Sequence, residues 1–228
     1  MTIGLVVEGV VAAGKTTLLS HLQRHLVDLR PACTKLVLSE HYTERVLEDK
    51  RAACTLAPDD VLTHAAGVLQ LVESLHALRA GSKFAGSTAA NADIVVLVER
   101  WMGSHAANLA ELGIPLPPVT IGRFNDHCCR LHDLGIRFVV LVVPDDDLRG
   151  HIEHTLARRN AAWRRYIESL GGLDRAVQRY ADWQGMLTRF YDSLPVPYRT
   201  VQVSNGRSAL DVLAISLAEE LFVAPVPR

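Results

Sequence analysis

The sequence predicts an α/β fold, a five-stranded parallel sheet with helices on both faces. Three observations carry that prediction. Short runs rich in Val, Ile and Leu recur along the chain, each separated from the next by a stretch with helical period. The runs are apolar throughout rather than alternating, as strands covered on both faces must be. The first run also opens into "EGVVAAGKTTLL", Glu8–Leu19, a Gly- and Ala-rich turn that ends in Gly-Lys-Thr and leads into a helix.

In chain order, Ile3–Glu8 (IGLVVE) reads as a buried strand and Lys15–Leu29 as an amphipathic helix. Lys35–Ser39 (KLVLS) is a second strand. Asp59–Leu78 repeats apolar residues at Val61, Leu62, Ala65, Val68, Leu69, Val72 and Leu75, a helical period. Gly81–Asn91, rich in Gly, Ser, Thr and Ala, reads as a loop. Ile94–Val98 (IVVLV) is a third strand. Helical patterns fill Ser104–Leu112 and Val119–Leu134, with "IPLPP" between them. Arg137–Val143 is a fourth strand, followed by one long basic helix from Asp146 to about Tyr166 and another from Leu173 to Leu194. Tyr198–Val203 is a fifth strand, Ser208–Phe222 a last helix and Ala224–Arg228 a loose tail. Right-handed crossovers then gather the strand C-termini along one edge, where Gly9–Thr16, Glu40 and Glu99-Arg100 fall.

At 228 residues the chain is expected to form a single domain, residues 1–228. It is 49% apolar with a net charge of −1, which argues against an acidic disordered tail and against a strongly basic nucleic-acid binder. No run approaches the length of a bilayer span, and the first residues lack a signal pattern, so no membrane partner is expected. The four cysteines, Cys33, Cys54, Cys128 and Cys129, form no C-x-x-C pair and read as reduced thiols of a cytoplasmic protein, in a host cytosol if the chain is viral. The pairs His21/His25, Cys128/His132 and His151/His154 lie at helical spacing. They lack further ligands at zinc spacing and read as solvated helix faces.

The chemistry centres on Gly9-Val10-Val11-Ala12-Ala13-Gly14-Lys15-Thr16, which fits G-x-x-x-x-G-K-[ST] between a strand and a helix; Thr17 follows inside the helix. Glycines let the backbone curl its N–H groups around phosphate at a helix N-terminus. Lys15 then meets the β- and γ-phosphates of a nucleotide, and the Thr16 hydroxyl ligates Mg²⁺. No guanine-reading N-K-x-D occurs, and the third strand ends in "VLVER" rather than in the Asp of a motor ATPase. Glu99 there can hold Mg²⁺ or its water, and Arg100 can reach an acceptor or a transferring phosphoryl group. Glu40, ending "LVLSE", is placed to accept a proton from an acceptor hydroxyl. Arg149, Arg158, Arg159, Arg164 and Arg165 form a basic stretch suited to a lid, at about residues 149–168, that closes over a triphosphate and excludes water.

Together, "EGVVAAGKTTL", Glu40 after the second strand, "ER" after the third and the Arg-rich stretch after the fourth resemble the deoxynucleoside kinase family and, less closely, the thymidylate kinases. The resemblance implies a P-loop kinase fold, ATP as phosphate donor, Mg²⁺, and transfer to the 5′-hydroxyl of a deoxynucleoside, a pyrimidine one such as thymidine or deoxycytidine. It makes Glu40 the base, Arg100 its partner, Glu99 the metal-side acid and Arg158 and Arg159 lid residues. It places His64 where the family has a base-reading Gln, with Gln70 further along the same helix, and His105 at a position often acidic in the family. It also implies a homodimer packed through helices. Val11 stands where thymidylate kinases carry an acid, which favours a nucleoside over a nucleotide acceptor. Trp101 replaces the usual Ser after Glu-Arg, and Ala161 and Ala162 replace a sugar-binding Glu. The alternatives are a thymidylate kinase and, in another class, a regulatory protein that only binds nucleotide.

Overall fold

The computed structural model describes residues 2–29, 32–80, 93–203 and 207–222. The fold grows outward from β1 (Thr2–Gly9), all of whose residues are buried. β1 pairs in parallel with β3 (Ile94–Glu99) on one side and β4 (Ile136–Val142) on the other; β2 (Thr34–Leu38) and β5 (Tyr198–Gln202) complete the order β2-β3-β1-β4-β5. The central strands are buried along nearly their whole length because helices cover both faces. The edge strands β2 and β5 are partly exposed.

α1 (Lys15–Leu29) buries Leu18, Leu19, Leu22 and Leu26, a stripe at helical spacing, and packs on α10 (Arg207–Phe222) and on the sheet. α4 (Pro58–Ala80), α5 (Met102–Glu111), α6 (Pro118–Asp133) and α9 (Leu173–Asp192) pack on one another as the other layer. Contrary to the sequence reading, one run among the described residues is long and apolar enough to cross a membrane: Pro58–Arg79, with a mean hydropathy of 1.2. Here its Val61, Leu62, Ala65, Val68, Leu69 and Val72 form a buried stripe of the core, so its apolarity has a use inside the domain.

Two further features bear on the site. After β2 the chain continues as α2 (Glu40–Thr43), a 3₁₀ turn (Arg45–Leu47) and α3 (Glu48–Ala52). The predicted helix over 146–166 is two helices, α7 (Asp145–Arg158) and α8 (Ala161–Ser169). The break falls at Arg159, whose backbone is extended, and Asn160 caps α8 by accepting from the Trp163 amide at 3.3 Å. The predicted loop Gly81–Asn91 and tail Ala224–Arg228 lie outside the described residues.

Candidate active site

β1 is flanked on both sides by strands reached through crossovers that leave in opposite directions, so a crevice opens at its C-terminal end. The loop from Gly9 to Lys15 fills that crevice. Gly9, Ala12 and Gly14 have φ of 146°, 72° and 82°. Alternating hand along a turn directs successive N–H groups inward, the basis of an anion nest. A Cβ on Gly9 would lie 2.7 Å from the Leu141 carbonyl oxygen, so the loop requires Gly there for space as well as for φ.

Lys15 is buried, and its Nζ donates to the Val10 carbonyl at 2.9 Å across its own loop. Burial, helped by the nearby Arg100 charge, pushes its ammonium down to about 7 despite Glu40, Glu99 and Glu8. The Thr16 hydroxyl donates to Glu99 Oε1 at 2.6 Å. These are two hard oxygens at the loop's mouth. A hydroxyl and a carboxylate oxygen side by side form a donor set that fits Mg²⁺.

The strand registers bring the remaining groups in. Leu38 pairs with Val98, which sets Glu40 beside Arg100 two residues on. Arg100 Nε lies 3.3 Å from Glu40 Oε2, and Arg45 Nη2 lies 2.7 Å from Glu40 Oε1. The Arg100 guanidinium sits 5.3 Å over the Trp183 ring and is almost fully buried. Burial raises the Glu40 carboxyl, but Arg100, Lys15 and Arg45 outweigh it and hold the group below its ordinary range. Glu40 is therefore ionised at neutral pH and suited to accept a proton.

These groups line one cleft of about 1030 Å³. Val11 to Thr17, Glu40, Glu99, Arg100, Arg158 and Arg159 all face it; Gly9 and Val10 form the base of the loop behind it. The other predicted residues do not reach it. Gln70 is exposed on α4. His64 directs Nε2 at the Tyr42 carbonyl, 2.6 Å away. His105 is buried and donates from Nε2 to the Thr43 carbonyl at 2.7 Å; burial pushes it down to about 4. The two imidazoles meet edge-on at 5.2 Å and support α2 through its carbonyls rather than facing a ligand.

The rest of the cleft is lined by residues with no motif. Arg51 Nη1 lies 3.3 Å from Glu44 Oε1 and 3.1 Å from Asn108 Oδ1, and Asn108 donates to Glu44 at 3.0 Å. Arg179 pairs with Glu111 at 2.6 Å. Trp163, Tyr166, Tyr180 and Trp183 supply aromatic walls. Trp163 and Tyr166 lie inside the basic stretch "LARRNAAWRRY", where their spacing of three on α8 is a signal that the arginines obscure.

No family model matches the sequence, and no curated protein matches it. Among solved structures, the chain is similar to the crystal structure of polyphosphate kinase 2 from Arthrobacter aurescens TC1. The identity is 13% and the TM-score 0.46, over 96% of this chain and 68% of that one.

Proposed function

We propose that this chain is an ATP- and Mg²⁺-dependent nucleoside kinase that transfers the γ-phosphate to the 5′-hydroxyl of a deoxynucleoside, a pyrimidine one as the sequence resemblance implies. The observation that carries the reading is the pairing of charges at the acceptor end. Among the described residues there, Arg45 and Arg100 are held by Glu40, Arg51 by Glu44 and Arg179 by Glu111. A nucleoside monophosphate would need guanidiniums of its own for its phosphate. A neutral hydroxyl acceptor needs only a carboxylate base and room. The cleft's 1030 Å³ is at the upper end for one small ligand, about 300–1,000 Å³, which suits a donor and an acceptor together.

In this reading the triphosphate lies in the Gly9–Thr16 loop with Lys15 released from Val10 onto its phosphates. Thr16 and Glu99 hold Mg²⁺, which neutralises charge on the phosphate oxygens when bound. Glu40 orients the acceptor hydroxyl and takes its proton late, as suits a loose transition state. Arg100 steadies Glu40, and Arg158 and Arg159 close from the lid to replace water. The same reading carries a homodimer packed through helices; Leu71 and Leu78 of α4 and Val119 and Ile121 of α6 are exposed apolar side chains it would cover. A coupled ADP-release assay over nucleosides and nucleoside monophosphates tests the function. Release with thymidine or deoxycytidine is expected. Release only with a monophosphate would move the chain to the thymidylate kinase reading, and none with any acceptor to nucleotide binding alone.

A further inference from the structure

Glu8 lies in β1 immediately before Gly9 of the phosphate loop and is fully buried. Neither phosphate binding nor proton transfer uses it, yet it is the most heavily bonded carboxyl group of the site. Its Oε1 accepts from the Trp101 amide at 2.9 Å, the Ser104 amide at 3.2 Å and the Tyr191 hydroxyl at 3.3 Å. Its Oε2 accepts from the Ser104 hydroxyl.

The Trp101 and Ser104 donors belong to the start of α5. The Trp101 side chain gives that helix no cap, so Glu8 supplies from a neighbouring strand the acceptor that its first amides need. The residue just before is Arg100, whose φ is 60°. A left-handed residue bearing a Cβ is strained and persists only where its surroundings hold it. Here two consecutive amides are held by two consecutive residues of β1: Arg100 N donates to the Val7 carbonyl at 2.9 Å, and Trp101 N donates to Glu8. Gly103 completes the fit. A Cβ there would lie 2.5 Å from Tyr191 Cε2 and 3.0 Å from Glu8 Oε1, so only Gly lets the carboxyl group and the phenol close on the helix.

We propose that Glu8 is a positioning residue of the reacting centre: by clamping the Trp101 and Ser104 amides it fixes the left-handed turn that aims Arg100 at Glu40. Tyr191 ties the same carboxyl group to α9, the helix whose Trp183 lies beneath the Arg100 guanidinium. Both the backbone of Arg100 and its aromatic support are thus registered to one side chain. Accepted hydrogen bonds do this work and the charge does not. A Gln at position 8 keeps the oxygen for three donors and offers its amide to the Ser104 hydroxyl. A Met of similar length fills the space and accepts nothing.

The test compares Glu8→Met, Glu8→Gln and wild type by amide hydrogen exchange, by calorimetric affinity for Mg²⁺–ATP and by single-turnover transfer per folded molecule. For Glu8→Met, exchange at Trp101 and Ser104 should rise about 10-fold or more, since an N-terminal amide loses its acceptor. ATP affinity should stay within about 3-fold, because the phosphate loop is untouched, and transfer should fall by about 10–100-fold, the cost of a small misplacement at a reacting centre. Glu8→Gln should recover most of the transfer and the slow exchange. Unchanged exchange in Glu8→Met, unchanged transfer, or a Gln variant as impaired as Met would each overturn the proposal. Should the Met variant not fold, Ser104→Ala and Tyr191→Phe each remove one bond. Each should lower transfer a few-fold with ATP affinity kept; no loss in either would overturn it. The transfer arm rests on the kinase reading above. The exchange arm does not, so a wild type that binds ATP but transfers to no nucleoside would sink that reading while exchange still decides the clamp.

Discussion

ATP binding should draw protons from solution through Lys15. In the free chain the ammonium is buried and spent on a carbonyl of its own loop, with a pKa of about 7. At pH 7 about half of the molecules therefore carry a neutral lysine, and at pH 8 about nine-tenths do. A triphosphate seated in the loop brings several negative charges against Nζ and restores a lysine's ordinary range near 10.4. Net uptake on binding should then be about 0.5 proton per site at pH 7 and about 0.9 at pH 8. Calorimetric titration of Mg²⁺–ATP in buffers of differing ionisation enthalpy reads this number directly. Lys15→Met should bind ATP more weakly and take up no proton at either pH. Uptake near zero in the wild type, or uptake that survives Lys15→Met, would refute the assignment of the shifted group. The same shift predicts that kcat/KM for ATP declines as pH rises through about 7 while kcat does not, because only the free enzyme has the depressed lysine.

The remaining predictions concern the acceptor side and the buried acid. Glu40→Gln should lower kcat by about 10²–10⁴-fold with little change in nucleoside affinity, and the acid limb of the wild-type profile should lie below the usual carboxylate range, since Glu40 is held ionised; a stability loss without a rate loss would make it a helix-start carboxylate only. Trp183→Leu removes the ring under Arg100 and should cost about 0.5–2 kcal/mol of transition-state binding, read as a kcat fall of about 2–30-fold. Burial raises the Glu8 carboxyl, so the folded chain holds that proton more tightly than the unfolded one. Stability from Glu8 should fall as pH rises from about the ordinary carboxylate value through the raised one, and Glu8→Gln should flatten that fall in urea midpoints taken across pH.

What the sequence revealed follows how locally each feature is encoded. The phosphate loop is legible because eight consecutive residues specify it together with the strand before and the helix after. Glu99, Arg100 and Glu40 are legible because strand ends share one edge, and the register Leu38↔Val98 places them together as the topology requires. Helix faces were not. His64 and Gln70 differ in burial on one helix, and which face turns to the cleft depends on how α4 packs against α5 and α6. The Glu44–Arg51–Asn108 cluster draws on three separate segments, so no spacing announces it. The break between α7 and α8 was obscured because Arg159 and Asn160 are tolerable inside a helix. Asn160 becomes a cap only once its side chain takes the Trp163 amide.

The most direct test of the central claim is the ratio of kcat/KM for thymidine or deoxycytidine to that for dTMP, measured by coupled ADP release with Mg²⁺–ATP as donor. With the guanidiniums of Arg45, Arg51, Arg100 and Arg179 already paired to carboxylates, the nucleoside should be preferred by at least about tenfold, the worth of one unmade charged hydrogen bond to the acceptor phosphate. A preference for dTMP would mean that those ion pairs open to receive a phosphate, and would contradict the account.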